Sequence, residues 1–482
     1  MNAHTTQKVA IEEKAPGAEG IREVPRVDEP PIIGSTVRFQ KDQLAFVLDL
    51  QRQFPDVAKA RILHLDWHFV FNPAIIHEIN VRQWEKFNKG WLAKTLWKLF
   101  LGNGLVPNEG EHWKRQHDLI KPGFHRQRID SYAPVMLEET LQMIEQDFED
   151  GTIRDIRQDV NNLALRVVGR TLFGADVSDH EGAVFKAMHK ISQILVEHIN
   201  LPIPTPRWWP SANNRRKIDA IEELEGVIKR LIAERRASGE DGGDVLSHII
   251  FAKDPTGAGM TNKELRDEAM TLLFAGHETT AHTMTWAWYL LAKNPHVAEK
   301  LYAEIEEKIG DRAIELEDLD SLVYLTQVMK ESLRLMPAVW TYTRCPLEDV
   351  VIEGYRFPKG APIFISQFAL GRDARIHPDP LTFKPERWTR EYERGLPRGA
   401  NVPFAAGPRV CIGQGFAQME MKIVLGTLVQ HLVPALKPGF EPDVVTELSL
   451  HPGERGMQIL VKRRDKGVKK PREQQKDQPE TA

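Results

Sequence analysis

From Thr261 to Asn294 the sequence carries no proline and a single glycine, and Pro295 stands immediately beyond. Thr261 followed three residues later by Glu264 is a capping-box pattern, in which side chain and backbone satisfy each other at a helix start. The residue before a proline is disfavoured in helical conformation, so the run is expected to stop at Asn294. At 1.5 Å per residue such a helix is about 50 Å long, and the rest of the chain has to be packed around it. Neighbouring segments are helical too. Ile218, Ile221, Leu224, Ile228 and Leu231 recur every three or four positions, with Gly239 as the stop. Pro295 opens a helix that ends near Gly310, and one near 321–336 is closed by Pro337. Beyond it, "DVVIEGYRFPKGAPIFISQ" reads as short strands around Gly and Pro turns, and "TELSLHPGERGMQILVK" as a hairpin. The expected fold is mainly α with a minor β region. One large domain should cover residues 36–465, between a flexible segment at 1–35 and a disordered charged tail at 466–482.

Charge is close to balance, 64 basic against 68 acidic residues, which gives no ground for nucleic-acid binding or for an anionic membrane. The two cysteines, Cys345 and Cys411, make no disulfide framework and fit a reducing cytoplasm. No apolar run approaches the roughly eighteen residues that span a bilayer, and the first thirty residues lack a signal-peptide core. A soluble cytoplasmic protein without a transmembrane anchor is expected.

The centre of the long helix reads "AGHETTAH", from Ala275 to His282. A zinc-protease box needs histidines four apart on one helical face. Here they are five apart, roughly 140° around the axis, so one ion is not easily held by both. Gly276 costs a helix about 1 kcal/mol relative to Ala. The hydroxyl of Thr279 or Thr280 can bond back to a carbonyl one turn earlier and bend the helix. A small residue, an acid and a hydroxyl within one turn suggest a local opening; a glycine that merely permits close packing is the alternative.

In "PFAAGPRVCIGQGFAQMEMKIVLG", Phe404, Gly407, Arg409 and Gly413 surround Cys411 just before an apolar helical stretch. Backbone N–H groups, the start of that helix and Arg409 would favour a thiolate, whereas a lone cysteine is otherwise an ordinary buried residue. A dinucleotide loop is excluded, because Gln418 occupies the third glycine position after Gly413 and Gly415.

The pattern Phe404-x-x-Gly407-x-Arg409-x-Cys411-x-Gly413 resembles the haem-binding loop of the cytochrome P-450 superfamily. Four more segments are similar to motifs of that family, in its order, between about residues 40 and 463. Ala275-Gly276-x-Glu278-Thr279-Thr280 looks like its oxygen-activation motif, and Glu331 with Arg334 like its Glu-x-x-Arg motif. "FKPERW" supplies Arg387, and Trp113 begins a Trp-x-x-x-basic motif that ends at His117. The resemblance implies haem b (iron protoporphyrin IX) with Cys411 as the axial metal ligand, a ligation that pushes electron density toward O–O cleavage. Ala275 and Gly276 would leave room for dioxygen, Thr279 would hydrogen-bond the activated oxygen, and Glu278 would help deliver protons. His277 and His282 would be packing or surface residues. Trp113, His117 and Arg409 would contact the haem propionates, with Arg344 as a looser candidate. Glu331, Arg334 and Arg387 would form a buried network clamping the cysteine loop, although in isolation an exposed ion pair is the plainer reading of the first two. Two departures stand out: Ala405 sits where the family usually has Gly or a small polar residue, and His117 replaces an arginine.

The resemblance is to soluble bacterial fatty-acid hydroxylases without a fused reductase, and it implies a monomeric monooxygenase that hydroxylates or epoxidises an apolar organic substrate. Phe100, Leu101, Phe274, Ala275, Val339 and Leu448 would line the pocket, for a fatty acid first, or a terpenoid, carotenoid or steroid. Electrons would come from a ferredoxin or flavodoxin with its NAD(P)H reductase, docking on Lys114, Arg115, Lys121, Arg126 and Arg128. A peroxide-using peroxygenase or isomerase of the same fold, and a haem-binding sensor or carrier, are the alternatives.

Overall fold

The computed structural model describes residues 20–174 and 212–464. Its axis is the helix Asn262–Lys293. The Glu264 N–H donates to Thr261 Oγ1 at 3.2 Å, and the Thr261 N–H donates to the Glu264 carboxylate at 2.8 Å. A side-chain cap of this kind is worth about 1 kcal/mol. Most of the helix is buried, Trp286 and Trp288 fully so, as expected of a helix enclosed on all sides. Its most extensive packing is against Ile156–Leu172. Ala212–Ser238, Val323–Leu335 and Gln414–His431 flank it elsewhere. The helices Ala212–Ser238, Pro295–Lys308 and Val323–Leu335 end where Gly239, Gly310 and Pro337 say they should.

The largest sheet of the minor β region has five strands, in the spatial order Val57–Ile62, Leu65–Val70, Ile363–Ser366, Thr341–Pro346, Phe87–Asn88. Its last pairing is antiparallel and sets Asn88 opposite Cys345, so Lys89 falls beside Arg344. Thr343 Oγ1 fastens this corner by donating to the Lys89 carbonyl at 3.2 Å. The strands Val350–Ile352 and Tyr355–Phe357 lie in the stretch expected to hold short strands, and they pair antiparallel.

Two expectations are corrected. The C-terminal hairpin lies earlier than the sequence suggests, pairing Val444–Thr446 with Leu450–Pro452. Gln458–Leu460 joins neither of these and pairs antiparallel with Ile153–Asp155. A remote partner wins because the Met457 N–H donates to Asp155 Oδ1 at 2.8 Å, while Gly456 at φ 64° lets that carboxylate approach. Nor is the segment before residue 36 loose from residue 20 onward. Arg22–Glu23 pairs with Tyr355–Arg356, and the Val27 N–H donates to the Lys59 carbonyl at 3.0 Å. Residues 1–19 and the expected tail at 466–482 lie outside the described residues. Among the described residues no helix is long and apolar enough to cross a membrane.

Candidate active site

The cysteine loop is folded back on itself. The Cys411 N–H donates to the Phe404 carbonyl at 2.9 Å, and the Val410 N–H to the Gly407 carbonyl at 3.0 Å. Two residues of the loop have left-handed backbone, Ala405 at φ 60° and Gly407 at φ 69°. A Cβ on Gly407 would overlap the Asn80 carbonyl oxygen, so only glycine fits there. Gly413 caps the helix Gln414–His431, and its N–H hydrogen-bonds the Cys411 sulfur. Cys411 has accessible surface although protein surrounds it on almost every side, so it faces an internal cavity. The expected thiolate is not favoured by these surroundings alone. Burial pushes the thiol pKa up, against the Gly413 N–H, and the Arg409 guanidinium is engaged elsewhere.

That guanidinium lies 3.6 Å over the Trp113 ring and pairs with the Glu109 carboxylate. Lys89 Nζ is 3.6 Å from the same carboxylate, and the Lys89 N–H donates to it at 3.0 Å. Arg344, buried, donates to the Thr343 carbonyl at 2.9 Å and lies 4.8 Å from the Tyr342 ring centroid. Burial, together with mutual repulsion among Lys89, Arg344 and Arg409, lowers the Lys89 pKa to about 7 even with Glu109 beside it. Arg344 and Arg409 are also lowered by burial. Three enclosed cations thus share one carboxylate. Lys89 and Glu109 were not anticipated, and only strand register and the N-terminal cap of Gly110–Ile120 bring them here. His117 stacks on Trp113 at 5.0 Å with its Nδ1 3.5 Å from Asp118.

The long helix passes through "AGHETTAH" without a break, so the expected opening is one of side-chain volume and not of backbone. Ala275 is exposed amid buried neighbours, which places a cavity against that face. A Cβ on Gly276 would meet Val168 Cγ2 at 3.3 Å and Leu172 Cδ1 at 3.6 Å. Gly276 thus lies against Ile156–Leu172, about 100° around the helix from Ala275, which fits the close-packing alternative. The Thr279 hydroxyl donates to the Ala275 carbonyl at 2.8 Å, which leaves its oxygen lone pairs as acceptors. Glu278 accepts from Ser449 Oγ at 3.2 Å. Burial raises its pKa, opposed by His451, Ser449 and Arg157. His277 and His282 are both buried. The His277 ring meets the Asn161 carbonyl at 2.9 Å, and burial lowers its pKa to about 4.

Glu331, Arg334 and Arg387 do meet in a buried network. Arg334 donates twice to the Glu331 carboxylate at 2.8 Å, and Arg387 Nε and Trp388 Nε1 each donate at 2.9 Å. Burial alone would raise the Glu331 pKa; the hydrogen bonds from Arg334 and the second arginine hold it below its ordinary value. The arginines donate onward to the carbonyls of Gly371, Pro378, Asp379, Pro380 and Thr382. The network therefore fastens residues 371–388, and none of these bonds reaches the cysteine loop itself.

Phe100 and Phe274 pack at 5.3 Å between centroids, and Trp97, which was not anticipated, touches both. Leu101 is 1% exposed and belongs to the core, while Val339 and Leu448 are half-buried. The basic patch is smaller than the sequence suggests. Arg115 is tied to Asp254 at 2.7 Å and Glu264 at 3.1 Å, and Arg128 to Asp241 at 3.2 Å. Arg126 has only longer ion pairs, while Lys114 and Lys121 remain exposed.

A family model described as cytochrome P-450 matches residues 25–458. Similar curated proteins include "Cyclooctatin synthase" of Streptomyces melanosporofaciens, 34% identical over 83% of this chain and 87% of its own length. "Cyclooctat-9-en-7-ol 5-monooxygenase" of the same organism is 32% identical over 83% of this chain and 86% of its own. "Pentalenene oxygenase" of Streptomyces avermitilis is 28% identical over 85% and 90%. An enclosed sulfur on a tight loop, a helix with one bare alanine face and a match across almost the whole chain agree: this protein belongs to the cytochrome P-450 family, and it is an oxidoreductase of the monooxygenase type.

Proposed function

We propose that this monooxygenase holds haem b through Cys411 and oxygenates a terpenoid. The observation that carries the reading is the surplus of positive charge beside the cysteine loop. With Lys89 protonated, the form that neighbouring carboxylates favour, Lys89, Arg344 and Arg409 against Glu109 leave a net of two charges, and a haem carries two propionates. Buried cations need partners, and two carboxylates supply them. Trp113 would hold Arg409 in place, with His117 stacked against the indole. Phe404, Gly407 and Gly413 would fix the height of the sulfur. When bound, the haem supplies reductive activation of dioxygen and transfer of one oxygen atom to carbon.

The residues around it do the rest. Ala275 keeps one helix face free of side chain. Thr279, its proton committed to the Ala275 carbonyl, offers lone pairs to a donor in the cavity and so orients it. Glu278, the residue before it in the helix, is biased toward its neutral form by burial and would store a proton. These two groups, and relatives named as monooxygenase and oxygenase, weigh for dioxygen over a peroxide user or a sensor. Trp97, Phe100 and Phe274 form an aromatic cluster, its two phenylalanines almost fully buried, that would close one end of the space for an apolar guest. Relatives named for cyclooctat-9-en-7-ol and pentalenene move terpenoids ahead of the fatty acid that the sequence placed first. Electrons would come from a ferredoxin or flavodoxin at Lys114, Lys121 and Arg126; Lys114→Glu with Lys121→Glu should slow reduction, and an unchanged rate would refute that docking face.

The test is optical. Reduced, carbon-monoxide-treated protein should show the red-shifted Soret band of a thiolate ligand and lose it in Cys411→Ala. Titration with pentalenene and cyclooctat-9-en-7-ol should shift the Soret band of the oxidised protein. A response to palmitate alone would overturn the terpenoid assignment, and absence of the red-shifted band would overturn the ligand.

A further inference from the structure

The Glu278 carboxyl is the inner end of a hydrogen-bonded run built by the C-terminal hairpin and by its own helix. Ser449 Oγ is 3.2 Å from Glu278 Oε1, and His282 Nδ1 is 2.8 Å from the same hydroxyl. Glu278 and His282 are four residues apart, hence on one helix face, and Ser449 is buried between them. His451 stacks on His282 at 5.1 Å and 30°, and its Nε2 is 3.2 Å from the Glu447 carboxylate. Glu447 is 18% exposed, so this end of the cluster reaches water. Arg157, from Ile156–Leu172, donates to the Gly453 carbonyl at 3.0 Å and places a positive charge on the remaining side. The charged and titratable groups facing Glu278 are thus Arg157, His282, Glu447 and His451.

We propose that Ser449 and His282 form a proton relay that reloads Glu278 during turnover, with His451 and Glu447 on its solvent side. The relay rests on the reading of Glu278 as the acid that serves the oxygen site. Each oxygenation consumes two protons, and the bare faces around Ala275 and the Trp97–Phe100–Phe274 wall offer none. His282 takes its proton from water entering at the Glu447 end; its Nδ1–H bond then breaks and that proton joins Ser449 Oγ. The hydroxyl's own proton passes to Glu278 Oε1. Imidazole and carboxyl end neutral, the serine is unchanged, and no redox partner is involved. Ser449 and His282 touch no substrate; they act through Glu278 as positioning residues.

Two measurements on the haem-loaded protein test this. Infrared spectroscopy assigns the Glu278 carboxyl band by its loss in Glu278→Gln. Ser449→Ala removes a donor to the carboxylate, so the band should persist to higher pH, and Ser449→Thr should restore the original midpoint. In turnover with NADPH, a ferredoxin and its reductase, Ser449→Ala and His282→Gln should lower kcat about 10- to 100-fold with KM little changed. They should also enlarge the solvent isotope effect and divert dioxygen to hydrogen peroxide. An unmoved infrared midpoint in Ser449→Ala, or unchanged kcat, isotope effect and peroxide yield in both variants, overturns the relay. Absence of turnover in the unsubstituted protein would instead overturn the proposed function, and the infrared midpoint would still decide the hydrogen-bonded run.

Discussion

The cysteine loop contains two left-handed residues of opposite suitability, which gives a paired prediction of opposite sign. Ala405 holds φ 60° with a Cβ, and Gly407 holds φ 69° without one. For an L-residue this conformation costs about 1–2 kcal/mol, and glycine avoids it. Ala405→Gly recovers that strain but gives up about 0.5–1 kcal/mol to the greater freedom of glycine in the unfolded chain. The net expectation is a stabilisation of about 0.5–1 kcal/mol, on the order of 0.5–1 °C in Tm for a chain this long. Gly407→Ala acquires the same strain, and its new methyl also overlaps the Asn80 carbonyl oxygen, a backbone atom that no rotamer change moves away. That loop would have to shift as a unit, at a cost of roughly 3 kcal/mol or more. The assay is thermal unfolding of the haem-loaded protein, with the fraction that gives the red-shifted carbon-monoxide band read on the same samples. Ala405→Gly should raise Tm and leave that fraction unchanged, while Gly407→Ala should lower both. A destabilised Ala405→Gly, or a Gly407→Ala with unaltered Tm and spectrum, would refute the strain argument.

Three further outcomes follow from the site. The folded-state pKa of Lys89 is depressed to about 7 from 10.5, so between these values the unfolded chain binds the additional proton. The stability difference between the haem-free parent and Lys89→Met should therefore shift in favour of the parent as pH rises across that window, as denaturant unfolding of the pair would show. Gly276→Ala should change stability by no more than about 1 kcal/mol, the gain in helix propensity offsetting a tight contact with Val168, and should keep turnover. Loss of turnover at unchanged stability would return Gly276 to the oxygen site. Glu331→Gln leaves Arg334 and Arg387 buried without their shared carboxylate, at a cost of about 3–5 kcal/mol measurable as lost haem incorporation and lowered Tm.

Much of this architecture was legible because local chemistry encodes it. The capping box at Thr261, the stops at Gly239, Gly310 and Pro337, and the return of Glu331 to Arg334 depend on neighbours a few residues away. What escaped was settled by tertiary register. Nothing in "NKG" tells that Lys89 will lie beside Arg344, because only the pairing of Asn88 with Cys345 puts it there. Gly276 reads as room for a ligand until the helix it packs against is known. Arg115 and Arg128 look like free surface charge, yet their acidic partners sit more than a hundred residues along the chain. The hairpin at 446–462 was misplaced for the same reason: Gly456 and Asp155 cannot be matched from either segment alone.

The ladder between Gln458–Leu460 and Ile153–Asp155 joins positions 303 to 307 apart, immediately ahead of the helix that packs against Gly276. Contacts so distant in sequence require a large loop to close first, which slows the assembly of a fold. Ser449 and His451 ride on the segment that this closure draws in. The surroundings of the acid in the protein's interior thus depend on a closure between segments about 300 residues apart.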